Sequence, residues 1–167
     1  AYYPYNADVR NFNYPVQLAA QERGSTACDL LYAATKEEYT YSPENEPHIS
    51  LNFTHRLAKV ILKFVNMEKE PLEVSDVRIE GMQTAASFNI QTDVLRVDES
   101  SVATINPYHN ATTGFYEAII LPSALTDSYK VSFVLDDREK EWIFTNLDIA
   151  LPQFHKGYSY TFALYMD

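Results

Sequence analysis

The chain has 167 residues, enough for one sizeable core or for one domain with part of another, and its 46% hydrophobic content rules against a disordered chain. Its 23 acidic residues outnumber 13 basic ones, and no stretch gathers Lys or Arg in a way that could neutralise a phosphate backbone, so nucleic acid and anionic membrane surfaces are poor partners. The longest purely apolar runs, such as Ala118 to Leu121, fall far short of the roughly 20 residues of a membrane-spanning helix.

In chain order, Tyr2, Tyr3 and Tyr5 around Pro4 suggest an edge strand, because proline cannot donate to a ladder in a sheet centre. Ala1 opens straight into this segment, so any export signal or lipid-bearing cysteine is expected upstream of it. Residues 6–26 read as a long connection, and CDLLYA at 28–33 as a short buried strand. Cys28 is the only cysteine, so this chain can build neither an internal disulfide nor a cysteine zinc site, and the residue is expected to pack as a small apolar group beside Leu30. The segment 40–47, TYSPENEP, concentrates proline and glutamate and marks a linker, with a domain boundary expected between 46 and 47.

The stretch ISLNFTHRLAKVILKFV at 49–65 is the most informative. Ile49, Leu51, Phe53 and His55 alternate with Ser50, Asn52 and Thr54, the period of a half-buried strand. Past Arg56 the apolar parity switches to Ala58, Val60, Leu62 and Phe64, which a bulge produces when a long strand bends or changes sheets. Further strands are expected at 74–81, 86–90, 94–97, 102–106, 116–121 and 129–135. A hairpin around DDREKE at 136–141 leads to Trp142–Phe144, and a last strand runs from Tyr158 to Leu164. Seven or more short strands at regular spacing predict an all-β antiparallel sandwich. The expected core is Leu51, Phe53, Val60, Leu62, Ile79, Phe88, Ile119, Leu121, Phe133, Tyr160 and Phe162.

Catalytic motifs are absent: there is no GxSxG elbow, no glycine-rich phosphate loop and no zinc-protease helix. The four histidines, His48, His55, His109 and His155, have no metal-ligand spacing, so neither an enzyme nor a metal or other cofactor is expected. His55, on the apolar face of its strand, is expected to be a buried imidazole bonded to backbone. The charge run DDREKE reads as a solvated hairpin tip. Exposed tyrosines can stack on sugar rings, and the loop residues Tyr39, Tyr41 and Tyr108 are the candidate ligand contacts.

Taken together, DLLYA at 29–33, LNFTHRLAKVILKF at 51–64, VRIEGM at 77–82 with SFN at 87–89, AIILP at 118–122 and HKGYSYTFAL at 155–164 resemble, in order and spacing, the fimbrillin-like (Mfa-like) proteins of Bacteroidales. Ala85-Ala86-Ser87 stands where that family commonly has a small glycine-bearing turn. The resemblance implies Greek-key, transthyretin-like sandwich domains. Residues 1–46 would be what is present of a first sandwich, with its linker, and 47–167 the second. It further implies an exported lipoprotein of the outer membrane and cell surface, a fimbrial subunit or tip protein whose partners are other fimbrial subunits, joined by β-strand addition. The alternative is a surface module that binds glycans or proteins without polymerising.

Overall fold

A computed structural model describes residues 1–21, 24–40, 42–44, 48–144 and 153–166. The boundary expected between 46 and 47 therefore lies outside the described residues. Fifteen strands follow one another among the described residues: β1 Tyr2–Tyr3, β2 Asn13–Gln17, β3 Leu31–Tyr32, β4 Thr54–His55, β5 Ala58–Asn66, β6 Ser75–Glu80, β7 Ala85–Asn89, β8 Val94–Val97, β9 Tyr108–Asn110, β10 Phe115–Ile120, β11 Ser123–Ala124, β12 Lys130–Leu135, β13 Arg138–Ile143, β14 Gln153–Phe154 and β15 Ser159–Met166. No described helix is long and apolar enough to cross a membrane.

Two sheets make the main sandwich, in the orders β15-β5-β10-β9 and β13-β12-β6. The alternation in β5 drives one side of it into the core, where Val60 and Leu62 are fully buried and Phe64 nearly so. Opposite them stand Val77 and Ile79 of β6 and Val131 and Phe133 of β12, all in the same apolar cluster. The rings of Phe64 and Phe133 meet at 4.8 Å across the gap. The all-β sandwich is thus as expected, with one addition. β15 lies parallel to β5 from Ser159 opposite Lys59 to Met166 opposite Asn66, whereas the other strand pairs are antiparallel. A parallel neighbour needs a crossover rather than a hairpin, and the chain from β6 to β14 supplies it.

A second apolar cluster gathers Tyr14, Val16, Leu18, Leu30 and Tyr32 with Leu57, Ala86, Phe88, Ile119 and Leu121. Its strands form the sheets β2-β7-β8 and β1-β3-β4. β2 falls inside the stretch read as connection. Pro15 masks it, and the proline is tolerated because β2 is an edge strand, pairing among the described residues only with β7.

The parity switch at Arg56 is a change of sheets. β4 pairs with β3, and three residues later β5 pairs with β10 and β15. The residues before the switch depart from expectation. Ile49, Leu51 and Phe53 belong to no strand and are 46%, 40% and 44% exposed, because no described strand covers that stretch of extended chain. Leu51 and Phe53 are therefore not core. Tyr160 and Phe162 are only half-buried, since β15 is the sheet's edge and is covered from one side. The other seven expected core residues are buried.

The segment 102–106 makes isolated bridges rather than a strand, with Ile79 exchanging both backbone hydrogen bonds with Ile105. DDREKE also differs from a plain tip. Only Asp136 and Asp137 turn, with φ of 51° and 58°, the left-handed pair of a two-residue hairpin. Arg138 to Glu141 belong to β13, where Glu139 meets Arg78, and Lys130 on β12 lies between Glu141 and Glu80. These carboxylates, Glu141 first, raise the Lys130 ammonium above its ordinary value. Gly81, at φ +86°, leads from β6 towards β7, and a Cβ there would stand 2.1 Å from the Ser128 carbonyl oxygen, so only glycine fits.

Burial sets the expected cost of truncation. Phe133→Ala should lower stability by about 3 to 5 kcal/mol, as large cavities in packed cores do, and Phe53→Ala by no more than about 0.5 kcal/mol. Urea denaturation of the two variants tests this, and a Phe53→Ala loss comparable to that of Phe133→Ala would contradict it.

Candidate functional site

The sheet change at 55–58 and the turn 155–158 build one region of the surface together. Gly157 N–H donates to Leu57 O at 2.7 Å, and Lys59 N–H donates to Tyr158 O at 2.9 Å, so the turn is tied to the start of β5. His55 and Arg56 line two different cavities on either side of this tie.

The first cavity, of about 150 Å³, has Leu57, Ala58 and Ile119 as apolar lining and Asp29, His55, Lys59 and Tyr158 as its polar and aromatic lining. His55 Nδ1 is 2.7 Å from Asp29 Oδ2, with the histidine side chain 55% exposed. The imidazole is therefore an exposed group bonded to a carboxylate, not the buried, backbone-bonded one expected. β4 is a two-residue strand at a sheet edge, too short to bury it. Lys59 Nζ is engaged by Glu117 at 2.6 Å.

The second cavity, of about 220 Å³, carries Arg56 and Lys156 with Asp93, against a wall formed by Leu95, Val97 and Pro122 over Phe88. Arg56 donates from Nη2 to Asp93 Oδ2 at 2.9 Å and lies 4.9 Å over the Tyr32 ring.

A third cleft, of about 480 Å³, lies by Tyr116 and His109 on the β9–β10 side, lined also by Leu72, Glu73 and Val74. The Tyr116 hydroxyl donates to Val74 O at 2.8 Å, and His109 stacks on its ring at 4.5 Å. Burial first, then the charge of Asp76, pushes the Tyr116 phenol above its ordinary value of 10.0.

The three expected ligand contacts are placed as follows. Tyr39 is 46% exposed between β3 and β4. Tyr41 lies outside the described residues. Tyr108 is half-buried on the edge strand β9, paired with Glu117, rather than on a loop. Among the described residues no ring contact joins Tyr39 and Tyr108, and no cluster of His, Cys, Asp and Glu could hold a metal. The cations Arg56 and Lys156 were not singled out from sequence. Their signal was present in the HRLAKV and HKGYSY blocks, each with a cation beside a histidine and about 100 residues apart.

The family model described as Fimbrillin-like matches residues 1–167. The chain belongs to the fimbrillin-like family. None of the curated proteins matches this fimbrillin-like chain. Among solved structures, a proposed cell adhesion protein from Bacteroides uniformis is similar at a TM-score of 0.82 and 22% identity, covering 99% of this chain and 66% of that one. One from Bacteroides ovatus gives 0.72 and 18%, over 98% of this chain and 60% of that one. One from Bacteroides thetaiotaomicron gives 0.56 and 11%, over 98% and 62%. These likenesses show the fold, and the fimbrillin-like chain spans 60 to 66% of the length of those structures.

The raised Tyr116 phenol has a pH signature. Folding favours its neutral form, so this contribution to stability is fully present below the unfolded value, about 10, and is lost as pH rises through the higher folded value. Urea midpoints measured between about pH 9 and 11.5 should fall, and fall less steeply in Tyr116→Phe. Identical slopes in the two proteins would contradict the buried, hydrogen-bonded placement of this phenol.

Proposed function

We propose that this fimbrillin-like chain is a structural or adhesive subunit of a cell-surface fimbrium, joined to neighbouring subunits by β-strand addition. One observation carries the reading beyond family membership. Ile49, Leu51 and Phe53 alternate as in a half-buried strand, yet they are exposed and lie outside the strands of the described residues. Such a segment is a ready partner for an incoming strand, with main-chain hydrogen bonds supplying affinity and alternate side chains supplying specificity. The edge strand β15 supports the same reading, since among the described residues it pairs on one side only and leaves Tyr165 45% exposed and Tyr158, just before it, 60% exposed.

In this proposal the protein is exported and held at the outer membrane as a lipoprotein. Residues 1–46 close a first sandwich, and 47–167 form the second. The second apolar cluster, which joins Tyr14, Val16 and Leu30 to Leu57, Phe88 and Ile119, would then be where the two halves meet. Tyr39, Tyr41 and Tyr108 keep the proposed role of glycan or protein contacts, supported by the exposed ring of Tyr39.

The full-length precursor, processed by an arginine-specific protease, should give a heat-sensitive ladder on a denaturing gel. Leu51→Asp and Phe53→Asp should erase the ladder while changing subunit stability by no more than about 0.5 kcal/mol, because both side chains are exposed in the single chain. A processed protein that stays monomeric would contradict strand addition. A ladder unaffected by either substitution would contradict the part assigned to this segment.

A further inference from the structure

We propose that the cavity between Arg56, Asp93 and Lys156 binds a sugar acid, through a carboxylate held by the two cations and a ring face laid on Leu95, Val97 and Pro122. The charge count comes first. Two cations and one carboxylate give this cavity a net positive charge in a chain whose net charge is −10. Lys156 is exposed and in no ion pair among the described residues, so its charge is free to meet a ligand. Asp93 takes one guanidinium nitrogen of Arg56, and Arg56 Nε is buried without a hydrogen-bond partner among the described residues.

The second point is preorganisation. The Arg56 side chain is only 14% exposed, and its guanidinium is fixed between the Tyr32 ring and Asp93. A guanidinium held in one orientation can turn its remaining N–H groups to a carboxylate, and little rotamer freedom is left to lose on binding. Lys156, on the turn 155–158, can close from the other wall as a mobile point charge.

Shape chooses the body that carries the carboxylate. At about 220 Å³ the cavity has room for one compact unit rather than an oligomer. Leu95 and Val97 are half-buried and turn the same side of β8 towards it. The slim chain of an acidic amino acid would leave that wall uncovered, whereas a pyranose acid presents a C–H face to it and hydroxyls to the solvent. The site is separate from the segment assigned to strand addition, so either proposal can fail alone.

The test is an NMR titration of this chain with glucuronic acid and N-acetylneuraminic acid. Glucose and N-acetylglucosamine serve as neutral probes, and N-acetylglutamate amide as the acidic peptide probe. The acids should shift the amides of Arg56, Val97 and Lys156, and the neutral sugars should not. Lys156→Glu, at an exposed position, should weaken the acids about tenfold, and Lys156→Arg should restore most of the binding. Equal binding of neutral sugars, no loss in Lys156→Glu, or shifts with the peptide probe alone would overturn the assignment.

Discussion

Both apolar cores depend on one stretch of strand. At its carboxyl end β10 is buried on both faces, with Ala118 and Ile120 turned into the main sandwich and Ile119 and Leu121 turned into the second cluster. Only a strand with apolar residues at every position can do this, and the sequence AIIL supplies them. The arrangement creates a polar problem, because β9 stops pairing at Glu117 and leaves the Ile119 backbone without a strand partner on that side among the described residues. Gln21 solves it. Its amide accepts from Ile119 N at 2.7 Å and donates to Ile119 O at 2.7 Å and to Leu18 O at 2.8 Å, inside a site where the glutamine is 1% exposed. A side chain from near the start of the chain, 98 residues before Ile119, thus takes the place of a strand partner.

That wall explains what was legible in the sequence. β5, β6, β7, β8, β10 and β12 were readable because each carries its own period-2 or continuous apolar signal and an adjacent turn. The residues that join the two cores gave no such signal: Gln21 looks like a polar loop residue, and Pro15 argues against a strand unless its edge position is known. Ile49 to Phe53 failed in the opposite way. Alternation shows that a segment suits one buried face, but burial needs a covering layer, and the layer is a tertiary fact. His55 followed the same error, assigned inward by parity although β4 ends before the core begins.

The candidate site was legible only as blocks that carry the family resemblance, with no role attached. HRLAKV contributes the sheet change and HKGYSY the turn that ties onto it, and the cavities on either side exist because these two distant segments are stitched by backbone hydrogen bonds at Leu57 and Lys59. Neither block contains the pairing in its own pattern. Sequence shows the chemistry of the tyrosines and not their setting: Tyr108 lies in a sheet edge where pairing with β10 claims part of its surface. The proposals of assembly and capture both fall on what the double core leaves exposed, its edges and turns.

The shared wall is tested most directly by asking whether a change in one core is felt in the other. Trp142 is the only tryptophan and packs against the main core, so its fluorescence reports that core. Leu18 is fully buried in the second cluster, and Leu18→Ala should cost about 2 to 5 kcal/mol. Urea unfolding of the variant should shift the Trp142 midpoint and the far-ultraviolet dichroism midpoint together and equally, as one cooperative unit requires. A Trp142 midpoint left at the value of the parent protein would mean that the two cores stand independently and that the strand between them is not their common support.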